Sequence, residues 1–264
     1  MSALVKLAGS AVVLAAVFGV ALAAGSTVGP DRRGTAGKSD GMAMGGHEAD
    51  PIRGLAASED GLTLELGQTQ LTRNRPTELR FSVNGKSGPI SDYEVTHEQR
   101  MHLILVRRDG KGFQHLHPRF DHGTWRTTVT LPDPGAYRVY ADFARQGEPH
   151  TLAADLTVDG DATYQPFPRP TTSATTDGYQ VDLNPSGGTL SFEITKDGRK
   201  VATEPYLGAG GHLVALREGD LAFLHVHPDG DGPSFEADLD PASHYHLYLQ
   251  FKHAGVVHTA EFTR

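Results

Sequence analysis

The segment HLILVRRDGKGFQHLHP, residues 102–118, decides how this chain is read, because HLVALREGDLAFLHVHP follows at residues 212–228. Each matched residue lies 110 positions from its partner: His102 and His212, Phe113 and Phe223, His115 and His225, His117 and His227, Pro118 and Pro228. Farther on, Tyr137, Tyr140, Phe143 and His150 recur as Tyr245, Tyr248, Phe251 and His258 at an offset of 108, so two residues are missing from the second block. Self-similarity at a fixed period marks a duplicated structural unit.

Working outward, Tyr164 to Thr172 contains Pro166, Pro168 and Pro170. Prolines at alternate positions impose an extended segment that cannot pair regularly. The chain therefore divides into a first module over 58–162, a linker over 163–173 and a second module over 174–264. Each has the size of an immunoglobulin-type sandwich. Leu62, Leu64 and Leu66 alternate with polar residues, as do Leu79, Phe81 and Val83, and Trp125, Thr127 and Val129. That period predicts half-buried strands. The run from Leu131 to Tyr137, repeated from Leu239 to Tyr245, delivers a tyrosine to the start of a strand, as in the tyrosine corner of immunoglobulin-like folds. The predicted fold is all-β, two tandem immunoglobulin-like β-sandwich modules.

Composition narrows the chemistry. A net charge of −8 without a basic cluster excludes a nucleic-acid partner. The absence of cysteine excludes disulfides, thiolate metal sites and cysteine nucleophiles. Fourteen histidines are then the conspicuous donors.

Leu7 to Ala24 is an uncharged apolar run after Lys6, and Ala21, Leu22 and Ala23 form a small-x-small pattern. Residues 1–25 are a signal peptide, or a transmembrane anchor that gives a membrane contact if uncleaved. Either predicts an extracytoplasmic protein, secreted or membrane-anchored. Residues 26–57 lack periodicity and are predicted to be a flexible tether. Within it Met42, Met44 and His47 form a weaker candidate metal cluster, a soft-donor set or a chance run.

Asp109 and Gly110 predict a hairpin turn that sets His102 opposite His117, with His115 on the same face. Gly219 and Asp220 predict the same for His212, His227 and His225. Opposed Cβ atoms about 5 Å apart leave room for an ion with metal–nitrogen bonds of about 2.0–2.1 Å. The candidate metal residues are His102, His115, His117, His212, His225 and His227, with His150 and His258 as further partners from the next hairpin. The same face carries Ile104 and Val106, or Val214 and Leu216, which points to partial burial. His97, His122, His244, His246 and His253 have no counterpart in the other copy and are expected on the surface or in loops. An all-imidazole set suits copper first and zinc as the alternative, because calcium and magnesium need oxygen ligands. Binding should fade as pH falls through about 6.5, since the ligands must be neutral.

The Phe113-Gln114-His115-Leu116-His117-Pro118 run, the Pro134-Gly135-x-Tyr137 corner and the Gly210-Gly211-His212-Leu213-Val214 segment resemble exported or membrane-tethered actinobacterial proteins with tandem immunoglobulin-like modules. The resemblance covers the chain from about residue 58 onward and implies a role in heavy-metal, particularly copper, handling. The ligand pattern does not resemble that of cupredoxins, which require a cysteine.

Three functions follow as expectations. The first is an extracytoplasmic protein that buffers or transfers copper. The second is a non-catalytic envelope module whose sandwich surfaces bind another envelope protein and whose histidines serve the fold. The third, a metalloenzyme, is disfavoured: no Ser-His-Asp grouping is recognisable and no Glu recurs beside the triad as a general base. The chain is therefore expected not to be an enzyme.

Overall fold

The computed structural model describes residues 52–224 and 226–264. The apolar run Leu7–Ala24, the tether up to residue 51, the cluster of Met42, Met44 and His47, and His225 lie outside the described residues. The described residues form one compact unit.

The first module contains β1 (Ser58–Glu59), β2 (Leu62–Leu66), β3 (Gln70–Leu71), β4 (Thr77–Gly85), β5 (Gly88–Pro89), β6 (His102–Arg107), β7 (Gln114–Leu116), β8 (Arg119–Asp121), β9 (Thr124–Val129), β10 (Gly135–Arg145) and β11 (Glu148–Val158). One sheet runs β1-β2-β4-β9-β8 with β5 paired to β4, and the facing sheet runs β3-β11-β10-β6-β7. The second module contains β12 (Ser173–Thr176), β13 (Tyr179–Ser186), β14 (Thr189–Lys196), β15 (Arg199–Lys200), β16 (His212–Arg217), β17 (Phe223–Leu224), β18 (His227–Pro228), β19 (Ser234–Glu236), β20 (Tyr245–His253) and β21 (Val256–Thr263). Its sheets run β12-β13-β14-β19-β18, with β15 on β14, and β17-β16-β20-β21. The fold is all-β, two immunoglobulin-like sandwiches in tandem.

Alternation builds each core. Leu62, Leu64, Leu79, Phe81 and Val83 meet Leu103, Leu105, Val139 and Leu156 across the first sandwich. Tyr179, Val181, Leu183, Phe192 and Ile194 meet Leu213, Leu247 and Leu249 in the second. Each such side chain contributes roughly 1.5–3 kcal/mol on full burial. The tyrosine corners are present in both: Tyr137 Oη donates to Asp133 O at 3.1 Å, and Asp240 N donates to Tyr245 Oη at 3.1 Å.

The strands β6 and β16 break the alternation, and the reason is a third core. Leu103 and Leu105 point into their sandwich, whereas Ile104 and Val106 point out of it and pack with Val214, Leu216, Tyr140, Tyr248, Leu221 and Phe223. The sandwiches thus join through β6-β10 and β16-β20. The contacts come in matched pairs. Tyr140 Oη donates to Leu221 O at 2.6 Å, and its counterpart Tyr248 Oη donates to Gly110 O at 2.5 Å. Phe113 stacks on Tyr248 with ring centroids 4.1 Å apart, and Phe223 meets Tyr140 at 5.6 Å. Aromatic pairs of this kind add about 0.5–1.5 kcal/mol beyond area burial. Because period-2 alternation ties parity to face, His102 shares the outward face with Ile104, and His212 shares it with Val214.

Two connecting segments reinforce this junction. The prolines keep the linker extended, but it docks: Ala136 N donates to Tyr164 Oη at 2.8 Å, Gln165 N donates to Asp109 Oδ2 at 2.8 Å, and Phe167 packs on His246 at 4.6 Å. The end of the expected tether is also placed. Arg53 bridges Phe223, and Gly54 N donates to Thr151 O at 3.0 Å. A Cβ at Gly54 would lie 2.9 Å from both Phe223 and Tyr140, so only glycine fits there.

Candidate metal centre

The hairpin β6-β7 pairs Leu103 with Leu116 and Ile104 with His115, which leaves His102 opposite His117 just past the ladder. Period-2 alternation then sets the three rings on the outward face. Their centroids lie 5.2 Å (His102–His115), 5.1 Å (His102–His117) and 4.8 Å (His115–His117) apart.

In the second module His227 does not come opposite His212, which corrects that part of the sequence-based expectation, and His225 lies outside the described residues. β17 ends at Leu224, and His227 belongs instead to β18 of the opposite sheet, exposed and paired with Glu236. The physical reason lies in the connection that follows. Asp229 to Pro233 is a glycine- and proline-rich turn closed by Asp229 N to Ser234 O at 2.8 Å, so the ladder with β19 starts at His227. In the first module the chain reaches its opposite sheet only at Arg119, beyond both histidines. His212 joins the first module's triad instead. Its ring stacks on His102 at 5.6 Å with 7° between planes and on His115 at 4.7 Å. One atom each of His102, His115 and His212 lie within 4.8 Å of one another, and the group contains no carboxylate.

Hydrogen bonds fix which ring nitrogens are available. His102 Nε2 sits 3.1 Å from Thr96 O. A carbonyl only accepts, so Nε2 carries the hydrogen and Nδ1 keeps its lone pair. His115 Nδ1 sits 2.6 Å from Gln250 Oε1, which likewise puts the hydrogen on Nδ1 and the lone pair on Nε2. In these tautomers His102 Nδ1 and His115 Nε2, 3.0 Å apart, present lone pairs to each other. His117 Nε2 is buried and has no hydrogen-bond partner among the described residues.

A proton is a poor occupant of this gap. Burial pushes His115 down to about 3 and His117 to about 4, with the neighbouring His102 adding to both. Burial also holds His212 well below 6.5 and lowers His102, the latter against an opposing pull from Asp142. A divalent or monovalent d-block ion is the electrophile that neutral imidazoles accept. Two nitrogens on one tetrahedral ion with bonds of about 2.0–2.1 Å lie about 3.3 Å apart, so the 3.0 Å pair needs only a small opening.

Several residues fall outside this arrangement or were not foreseen. His150 stacks on Phe143 at 5.4 Å and lines a separate polar cleft with Arg53, Glu59 and Arg145. Its counterpart His258 packs on Phe251 at 5.2 Å and donates from Nδ1 to Asp177 Oδ2 at 2.8 Å. Neither belongs to the group of converging ligand atoms. His246 is buried rather than superficial, because it occupies the outward face of β20 and packs against Gly110, where a Cβ would lie 2.2 Å from its ring. His97, expected on the surface, brings its ring to 6.1 Å from His102 and 5.9 Å from His212. Gln250 and Asp142 are matched across the repeat at 108 positions and paired with His212 and His102 in the ladders; Gln250 orients the cluster through His115, and Asp142 acts on His102 through its charge. Their signal was the Tyr-x-x-Phe frame around them, which repeats although the residues differ.

No curated protein matches the chain. Among solved structures, Salmonella alpha-2-macroglobulin reacted with methylamine aligns over 80% of this chain and 15% of its own, at 14% identity and a TM-score of 0.30. The Escherichia coli adhesin FdeC aligns over 78% and 65%, at 14% identity and 0.28. The tandem Ig repeats of Dlar align over 75% and 93%, at 7% identity and 0.22. This chain therefore spans about 15% of the length of the first and 65% of the second. A family profile matches twice, over residues 57–160 and 174–264, and the chain belongs to that family, described as Domain of unknown function (DUF8832).

Proposed function

We propose that this chain is an extracytoplasmic, non-catalytic metal-binding protein that buffers or hands over copper, with zinc as the alternative, at one site shared by its two modules. The observation that carries the reading is the pair of facing lone-pair nitrogens, His102 Nδ1 and His115 Nε2, at 3.0 Å with His212 beside them. Each of the two rings donates its other N–H to a carbonyl oxygen, which is the outer arrangement that fixes tautomer and orientation in histidine metal sites. An all-nitrogen set without carboxylate favours copper or zinc over calcium or magnesium. The ion is cargo in this reading, consistent with the copper handling implied by the resemblance to actinobacterial envelope proteins.

Calorimetric titration of Cu(II) and Zn(II) into the purified chain tests it. One equivalent bound per chain at micromolar affinity or tighter, lost in His102→Ala/His115→Ala/His212→Ala, is expected. Two equivalents would point to independent sites, and no heat with either metal sinks the reading.

A second reading is an envelope interaction module whose histidines serve the fold. It is favoured by His150 and His258, which occupy matched positions and are held by phenylalanine stacking and, for His258, by Asp177. Thermal stability that ignores both metals but falls in every histidine variant supports this second reading.

A further inference from the structure

We propose that His97 is the exchange ligand of this centre, the imidazole that takes an ion from solvent and passes it to the buried cluster; this rests on the metal-binding reading above. His102 is 1% exposed, and the rings around it shield one another. His97 stands on the surface turn between Val95, 66% exposed, and the exposed Glu98. Its ring reaches one histidine of each module, His102 and His212, yet it is not in the group whose ligand atoms already converge. A modest swing of the turn is required to bring it in.

The turn itself is unusual. Thr96 and Gln99 pair in both directions, at 2.8 and 3.0 Å, around His97 and Glu98, whose φ angles are 48° and 64°. Two successive left-handed residues suit Asn-Gly or Gly, not His-Glu. The second module forms the same turn between Tyr206 and Ala209, and there it carries Leu207 and Gly208. Leu207 is 3% exposed, so the second copy closes this position with an apolar side chain. Leu207 shares the left-handed backbone of His97, with φ of 54°, so the copies differ in the imidazole at this position and in Glu98 at φ 64° where the second copy has Gly208; strain held by its surroundings clusters at functional positions. The same turn presents Thr96 O to His102 Nε2, so the turn that holds His97 also sets the orientation of a ring in the cluster. Glu98 adds a carboxylate at the mouth, which favours an approaching cation. In exchange, a metal–nitrogen bond to His97 forms as a bond to water or an external chelator breaks, and the ion then moves to His102 and His212 with no change of oxidation state.

The test uses the full chain and His97→Leu, the residue found at the matching position of the second copy. Zn(II) affinity is measured by competition titration, and loss of Zn(II) to excess EDTA by stopped flow. Affinity within about threefold of wild type with removal and uptake both slowed roughly tenfold or more supports the proposal, since a lost exchange ligand acts on rates. His97→Gln, which removes the imidazole but stays polar, should slow exchange alike and guards against a packing effect of leucine. Unchanged exchange rates overturn it, and so does a loss of affinity of about 100-fold, which would make His97 a resident ligand. If wild-type chain binds neither metal, both readings fall; if it binds and exchanges at the same rate without His97, only this one does.

Discussion

Acidification of the metal-free chain is the perturbation whose magnitude follows most directly from the buried imidazoles. In the folded state burial takes His115 to about 3 and His117 to about 4, against 6.5 for a free imidazole. Above pH 6.5 these rings are neutral in both states and the associated stability is fully present. As pH falls, the unfolded chain takes up protons that the folded chain refuses, so stability is lost until the folded values are reached. Between pH 7 and pH 5 the loss from His115 is about 2 kcal/mol at 1.36 kcal/mol per proton and pH unit. His117, partly open to solvent, adds about 1 kcal/mol after allowing for screening, and His102 and His212 act in the same direction. The ion-paired carboxylates Asp109 and Asp220 are lowered from 3.8 by Arg107 and Arg217, so their contribution is lost only below that window. Urea unfolding in EDTA, followed by the single Trp125 in the first core, reads the effect as a lower midpoint at pH 5 with little change in slope. His115→Leu should flatten the pH dependence by about 2 kcal/mol. A midpoint equal or higher at pH 5 would refute the assignment of these rings as buried and neutral.

Other outcomes follow from the same geometry. Replacing Gln250 by Leu removes the acceptor from His115 Nδ1 and should weaken metal binding about 10–100-fold, whereas Gln250→Glu retains an acceptor and should keep most of the affinity, as checked by competition titration. His227→Ala should leave metal affinity unchanged, because His227 sits on the opposite sheet; a tenfold loss or more in the same assay would contradict that placement. Tyr248→Phe deprives Gly110 O of its buried donor and should cost about 1–3 kcal/mol in urea unfolding, with Tyr140→Phe similar through Leu221 O. Metal at 100 times its dissociation constant should raise stability at pH 7 by about 2.7 kcal/mol, and no shift of the unfolding midpoint would argue against binding to the native state.

The repeat, the strand alternation and the tyrosine corners made both sandwiches legible before any coordinates, because each is a short-range pattern. The register that places His102 opposite His117 was legible for the same reason, since a turn and period-2 alternation determine it. What was hidden depends on one module touching the other. The segments Leu103–Val106 and Leu213–Leu216 are apolar at every position, which signals burial on both faces without saying what covers the outer one. His97 could not be found by comparing the copies, because its counterpart is Leu207. His227 was misplaced because local matching is blind to where a strand changes sheet, and the turn from Asp229 to Pro233 moves that change ahead of the histidine.

The duplication also explains why histidines of both modules meet in one cluster among the described residues. Phe223 on Tyr140 and Phe113 on Tyr248 are contacts exchanged between matched residues, and the same two tyrosines donate into the other module's turn at positions one residue out of register, Leu221 O and Gly110 O, close to the geometry of a two-fold dimer of one module. Residues near such an axis meet their own counterparts, and His102 and His212, 110 positions apart, stack with 7° between their planes. A ligand group at that place draws on both copies whatever their sequences do elsewhere. Divergence can then proceed asymmetrically: the first copy supplies His115 and His117 from its hairpin, the second supplies Gln250 to orient His115 and closes its matching turn with Leu207. The first copy supplies His102 and His115 and the second supplies His212 and the orienting Gln250, so the cluster is complete only where the two modules meet.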